Sequence, residues 1–391
     1  MRGRRADLVV AACFCGAIGL YDFLYVVLLF SGGPVIGSEL KVLFPDFLVF
    51  WAAARAFIEH KLGMIYNIDV FTDYQNVLFA DRFPGVVHFR PFFYPPIWLL
   101  MLAPLGLLAV GKAYTLFISG TMAFATFFQV RRDPWGWLAV LVSPAAVWVV
   151  LAGQNTFLSV ALFYGGLHLL AGSPVLAGIL LGLLSYKPQI WVLVPLALLA
   201  GRHWRALFSM AATVLVLMLV SAAIFGPSFW LAFLDAAREA AGPRVAEVMF
   251  ERIYMHMTTL VAAARIVGLS PMVSGIIQTA GAILAVVAVW LAFSRKGQSD
   301  ARIAVLATAT FLVSPYTLNY DLLLLMPAAV AMFRLGITDG FRPLERLVLL
   351  LLWLIPTFGM VLNHFDLPIM PLVILAFGWF AWQRLGALKP A

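Results

Sequence analysis

The sequence predicts an all-α integral membrane protein of about twelve transmembrane helices, and three observations carry that class. The chain of 391 residues is 63% hydrophobic and only 11% charged. Its mean hydropathy is +0.99. Its apolar residues fall into repeated stretches of roughly 17 to 25, each long enough for a hydrocarbon core of ~30 Å. No soluble domain hides that much apolar surface from water. Helices fit these lengths better than a closed barrel, because a helix satisfies its own backbone groups in lipid. The net charge of +8 reflects topology and lipid headgroups. No Lys/Arg cluster is interleaved with stacking aromatics, so nucleic acid is not an expected partner. Cys13 and Cys15 stand two apart on one helix and point away from each other, which argues against a disulfide between them.

The elements follow in order. MRGRR precedes a first span at about 8–30, too long for a signal peptide and without a small-residue cleavage site, so it reads as an uncleaved helix with its N-terminus inside. Further spans are expected at about 112–130, 134–152, 154–171, 174–186, 188–200, 205–225, 271–293, 302–318, 320–334, 345–362 and 367–384. With that count Arg131, Arg132, Arg202, Arg205, Arg295, Lys296, Arg334, Arg342, Arg346, Arg384 and Lys389 all fall on the side of the N-terminus. The positive-inside rule is satisfied, and both termini are expected in the cytoplasm.

Residues 92–108, FFYPPIWLLMLAPLGLL, are apolar enough to span, but Pro95, Pro96 and Pro104 break the hydrogen-bond ladder. Counting them as a span would put Arg131 and Arg132 outside, so they read as a short, partly re-entrant or interfacial hairpin on the outer face. The spans at 174–186 and 188–200 are short and flank SYKPQ, as half-length helices ending in a protein-lined cavity would. The chain thus forms a single multi-span domain, 1–391, with two outer-face loops at about 31–111 and 226–270. The second carries the amphipathic stretch FWLAFLDAAREAAGPRVAEVMFERIYMHM.

This topology sorts the polar residues. Besides the two long loops, the turns AGQN, SYKPQ, TLNYD and NHFD face outward, so nearly every group not needed for topology lies on one face. Ionisable groups at span ends are costly, and their convergence from separate helices argues for a site. No glycine-rich phosphate loop, HExxH, CxxC or GxSxG is present, and the six histidines lack metal-ligand spacing, so neither a metal nor a cofactor is expected. One well-placed acid, a few cations, amides and aromatics remain, facing a compartment without nucleotides. A lipid-borne activated substrate suits that set, with Asp46 as the carboxylate base that takes a proton from an acceptor hydroxyl.

Several segments then resemble a known family. PDFLVFWAAARAF followed by MIYN, FFYPPIWLLMLAPLGLL, GQNTFLSVALF, LLGLLSYKPQIWVLVPLALL and SPYTLNYDLLLLMP occur in the expected order. Together they resemble the polyprenol-phosphate-mannose-dependent mannosyltransferases of glycosyltransferase family 87, which have the GT-C membrane fold. The resemblance implies inverting transfer of a sugar, mannose by the family's habit, from a polyprenyl-phosphate donor to a lipid or glycan acceptor hydroxyl. It implies a site on the outer, periplasmic face of a bacterial inner membrane, and the family's base maps onto Asp46.

Plainer readings stand beside these. Asp46 follows Pro45 at the head of a helical run and could simply cap it, worth ~1 kcal/mol. Lys187, next to Gln189 in SYKPQ, could snorkel to headgroups or contact a phosphate. Gln154 and Asn155 could end a helix after Gly153 or bind sugar hydroxyls. Tyr320 and Asp321 could be a helix start or part of the site. His88, Arg90, Arg252, His256 and His364 are outward cations that could grip a leaving phosphate. Arg55 and Glu59 are spaced for a weak surface pair, FRPFFYPPIW reads as an interface belt, and Asp22 is an intramembrane acid without an evident partner. A transporter or flippase of lipid-linked sugars is the competing class, but the inverted repeats it would need are not visible. A structural membrane subunit is the third.

Overall fold

The computed structural model describes residues 45–80, 89–295 and 299–386. The expected first span, with Cys13, Cys15 and Asp22, lies outside the described residues, as do His88, Lys296 and Lys389. Every regular element among the described residues is a helix, and the only strand-like feature among them is one antiparallel bridge between Met257 and Leu318.

The first loop folds into α1 (Pro45–Ile58), α2 (Ile68–Leu78) and α3 (Pro96–Leu102), the last continued by a 3₁₀ turn over Ala103–Leu107. Then come α4 (Val110–Gln129), α5 (Pro134–Leu141), α6 (Pro144–Ala152), α7 (Thr156–Leu169), α8 (Pro174–Leu183), α9 (Pro188–Trp191), α10 (Val194–Ala200) and α11 (Trp204–Phe225). The second loop folds into α12 (Pro227–Ala240), α13 (Pro243–Ile253) and α14 (Leu260–Ile266). The chain closes with α15 (Pro271–Ser294), α16 (Ser299–Val313), a 3₁₀ helix over Asn319–Leu325 running into α17 (Met326–Asp339), α18 (Glu345–His364) and α19 (Met370–Leu385).

Proline sets much of this punctuation. Pro96, Pro134, Pro144, Pro174, Pro188 and Pro271 each stand first in their helix, where the missing N–H costs nothing and the fixed φ already suits the turn. Side-chain caps reinforce the starts: Asp133 Oδ1 accepts from Gly136 N at 2.8 Å, and Ser143 Oγ from Ala146 N at 3.3 Å. The prolines also explain why apolar stretches of span length arrive in pieces. Residues 134–152 form two helices bent by 55°.

Four helical stretches among the described residues are long and apolar enough to cross a membrane: Trp204–Phe225, Pro271–Ser294, Asn319–Asp339 and Glu345–His364. The bent pair α5–α6 makes a fifth if it is one span. Among the described residues the expected count of twelve is therefore not reached on length and composition. Five further apolar helices run only 10–17 residues, including Thr156–Leu169, Pro174–Tyr186 and Pro188–Ala200. α11 and α15 expose their apolar sides, with Phe208, Leu219, Met272 and Ile283 all at least 60% accessible. A surface of that kind belongs against lipid.

Small residues let the helices cross closely. A Cβ on Gly178 would lie 2.3 Å from the Ala206 carbonyl oxygen, and one on Gly182 would lie 2.6 Å from Thr213 Cβ, so α8 packs directly on α11. Gly106 does the same for the turn after α3, its Cβ position only 2.6 Å from the Ala54 carbonyl of α1. Most of residues 92–108 is consequently packed against protein, with Pro104 and Leu107 left exposed. Phe92 and Trp98 are 2% and 1% exposed, so these two aromatics of the run expected as an interface belt are core, while Phe89, Phe93 and Tyr94 are half-buried. At the centre lie α16, buried from Ala301 to Leu312 nearly without interruption, and the 3₁₀ helix Asn319–Leu325, buried throughout.

Candidate active site

Four breaks in the helices converge at one end of the bundle. Gly153 ends α6 in the left-handed conformation, φ +71°, a C-terminal position that glycine adopts without a Cβ penalty. Gln154 and Asn155 follow as the turn into α7. Lys187 occupies the break between the 3₁₀ turn Leu184–Tyr186 and α9. Tyr320 and Asp321 open the buried 3₁₀ helix, and Asp46 sits in the first turn of α1, where the helix dipole favours a carboxylate.

The side chains meet. Gln154 Nε2 donates to Asp46 Oδ2 at 2.7 Å and contacts the Tyr320 hydroxyl oxygen at 3.1 Å. The same amide's oxygen accepts from Asn155 N at 3.1 Å and from the Tyr94 hydroxyl at 3.3 Å, which fixes its orientation. Lys187 Nζ donates to Asp321 Oδ1 at 2.6 Å and to Asn155 Oδ1 at 3.1 Å, with side chains only 1% and 3% exposed for the ion pair. Asp321 Oδ2 accepts in turn from Leu318 N at 3.1 Å, capping its own helix. Behind them Tyr186 hydrogen-bonds Ser159 Oγ at 2.8 Å and stacks on Trp98 at 4.5 Å.

Asp46 is half-buried, whereas its partners are buried. Burial raises its pKa above the ordinary carboxylate value. Hydrogen bonds from Gln154 and Tyr320 and the Lys187 charge pull it back down, and Asp321 adds to the rise. Asp46, Lys187 and Asp321 together carry one net negative charge when ionised. Among the described residues, Asn155 Nδ2 and Ser185 Oγ are buried nearby without a hydrogen-bond partner, and buried polar groups left unpaired are costly unless something else meets them.

The expected residues therefore divide. Asp46, Gln154, Asn155, Lys187, Tyr320 and Asp321 share one cluster. Lys187 does not snorkel; it is fully enclosed and turned onto Asp321, because an unpaired ammonium in this interior would be far more costly than the pair. Asp46 does more than begin a helix, since its carboxylate reaches the α6–α7 junction. His256 touches the edge of the cluster, its Nδ1 lying 3.3 Å from Asn319 Oδ1. Gln189 is half-buried on α9 and makes none of these contacts. Arg90 is held through its backbone by Thr72 and Gln75 of α2, Arg252 lies half-buried on α13, and His364 is exposed at the end of α18. None of these three makes the hydrogen bonds given above between Asp46, Gln154, Asn155, Lys187, Tyr320 and Asp321. Arg55 and Glu59 form the expected pair at 2.8 Å.

Tyr94, Asn319, Tyr186 and Ser159 escaped the sequence reading. Tyr94 carried a usable signal: a hydroxyl inside an apolar, proline-bound stretch needs a partner once buried.

The cluster gathers acid, lysine, amide and tyrosine groups inside an apolar helical protein, an arrangement that can accept and donate protons. Glycosyltransferase family 87 matches residues 92–315 of the chain, and the chain belongs to that family. It is a glycosyltransferase, and so acts on a sugar donor and an acceptor. The match takes in Tyr94, Gln154, Asn155 and Lys187, while Asp46, Tyr320 and Asp321 lie outside it. No curated protein and no solved structure matched the chain.

Proposed function

We propose that the chain moves a sugar, mannose by the family resemblance, from a polyprenyl-phosphate donor to a hydroxyl of a lipid or glycan acceptor, with inversion at the anomeric carbon. The acceptor oxygen forms its bond to that carbon as the bond to the phosphate oxygen breaks. The acceptor's proton passes to Asp46, and the electron pair leaves on the polyprenyl phosphate. The single observation that carries this reading is the Asp46 carboxylate, half-buried, raised in basicity by burial and held at 2.7 Å by Gln154.

Charge balance supports the same order of events. When Asp46 takes the proton, the cluster of Asp46, Lys187 and Asp321 passes from one net negative charge to neutrality, which eases the approach of the negative leaving group. Lys187 spends two of its three N–H groups on Asp321 and Asn155. Its third N–H and the unpartnered Asn155 Nδ2 are the donors we assign to phosphate oxygens, with His256 at the rim. General-base assistance of this kind contributes ~10²–10⁴-fold.

Two of the loop cations expected inside pair with acids at the far end of the helices, Arg132 with Asp300 and Arg334 with Asp133. That separation supports a bundle of GT-C type, counting its short and broken helices towards about twelve spans. It also supports a site facing the outside of a bacterial inner membrane, with both termini in the cytoplasm. Purified protein in lipid nanodiscs, given polyprenyl-phosphate-mannose labelled in the sugar and a membrane lipid extract as acceptor, is expected to release free polyprenyl phosphate and a labelled glycolipid. Release of label only from a nucleotide-sugar donor would overturn the donor assignment.

A further inference from the structure

The geometry points to a second binding site, for a phosphate-bearing anion, at the opposite end of the bundle from Asp46. A cavity of about 210 Å³ opens there between α4, α5, α7, α16 and α17, much more than one water's ~30 Å³ share of the liquid. His168 lines it, and residues 156–168 of α7 cover ~18 Å of helical rise from the edge of the catalytic cluster. The two sites are therefore separate.

Its chemistry is that of a donor cage. Asp133 is spent twice, capping Gly136 N at 2.8 Å and pairing with Arg334. Asp300 accepts from Arg132 at 2.7 Å. The two acids are the more buried members of their pairs, at 21% and 29% exposure, while the arginines stand 51% and 45% exposed at the mouth. Each guanidinium carries five N–H groups and one bond accounts for few of them. Deeper in, Gln129 is 6% exposed and its Nε2 has no hydrogen-bond partner among the described residues. A buried amide donor without an acceptor, lining the same cavity as two arginines that keep N–H groups beyond their ion pairs, calls for an oxyanion, and the guanidinium fork matches the oxygens of a phosphate. The wall below these groups is apolar, formed by Trp137, Val140 and Leu335. That wall would accommodate the glycerol end of a phospholipid, whereas a free phosphate would use the polar groups alone.

Native mass spectrometry of the full-length protein in detergent tests the site, with phosphatidylglycerol and inorganic phosphate as separate probes. One saturable adduct per chain is expected. It should bind about tenfold more weakly after Gln129→Leu, and more weakly still after Arg132→Gln with Arg334→Gln, as loss of charge-assisted hydrogen bonds predicts. Saturation by phosphatidylglycerol alone identifies a lipid headgroup, and saturation by inorganic phosphate identifies a free anion; both outcomes support the site. Equal binding by wild type and Gln129→Leu overturns it, as does an adduct count that never saturates or a wild type that binds neither probe. The arginine variants also remove two inter-helix ion pairs, so Gln129→Leu, which touches neither pair, decides the matter if they fail to fold.

Discussion

Gln154 Nε2 reaches the Asp46 carboxylate at 2.7 Å across 108 residues of sequence. The amide cannot turn over without losing the Tyr94 hydroxyl and the Asn155 N–H that its oxygen accepts. An acid at the head of one helix is thus oriented by the broken junction of two others, and the orientation is itself held by a third segment. Preorganisation of this sort keeps a base aimed before substrate arrives.

Gln154→Leu tests that link. It removes one of the hydrogen bonds that lower the Asp46 pKa, so the acidic limb of the pH–rate profile should move to higher pH while the fold persists. A profile unchanged in position and height would mean that Gln154 does not hold the base.

The Lys187–Asp321 pair predicts a stability effect. Lys187→Met strands Asp321 in the interior, and breaking a buried pair costs ~3–5 kcal/mol. Adding Asp321→Asn removes the stranded charge and keeps an acceptor for Leu318 N, so the double variant should regain most of the loss. Thermal melts of the two variants in detergent make the comparison. A single variant as stable as wild type would contradict the structural importance of the pair. Sugar transfer should stay low in both, since neither supplies the lysine N–H.

Asp46 also makes opposite demands on pH. Its folded-state pKa is raised, so the folded chain binds this proton more tightly than the unfolded chain does, and the group's contribution to stability is lost as pH rises through that pKa. Activity runs the other way, because only the ionised carboxylate accepts a proton. Asp46→Asn, fixed in a neutral form, should therefore gain stability relative to wild type as pH rises above the ordinary carboxylate range and through the raised pKa of Asp46. A difference in melting temperature that is flat with pH would remove the claim that burial perturbs Asp46.

Gly178 sets the closest approach of α8 and α11. Gly178→Val places a side chain where a Cβ already lies 2.3 Å from the Ala206 carbonyl oxygen. The helices must separate, at a cost of ~1–3 kcal/mol or more, and the melting temperature should fall accordingly. Gly120→Ala, at a position open to its surroundings, is the control that should change little.

Much of this was legible in the sequence for a single physical reason: polar groups are expensive in an apolar chain, so those that survive mark a site. Asp46, Lys187 and Asp321 stood out on that ground, and Gly153 marked the turn that presents Gln154 and Asn155. Pro96 and Pro188 read correctly as helix punctuation, whereas the break at Pro144 was missed. What could not be read was which groups meet. Lys187 and Asp321 lie 134 residues apart, and no local pattern says that the lysine turns inward to an acid. Tyr94 was overlooked despite its hydroxyl because its neighbours are aromatic, and an aromatic run looks the same from sequence whether it lines a membrane interface or a core. Length alone also misjudged the spans. Proline divides the apolar stretches into shorter helices that only tertiary packing completes.

The most direct measurement is sugar transfer by purified Asp46→Asn, with donor binding followed in the same preparation. Asparagine keeps the size of the side chain and can still accept from Gln154, but it takes no proton at working pH. Turnover should fall by ~10²–10⁴-fold with donor affinity nearly unchanged. Turnover equal to wild type in a folded, donor-binding variant would contradict the assignment of Asp46 as the base.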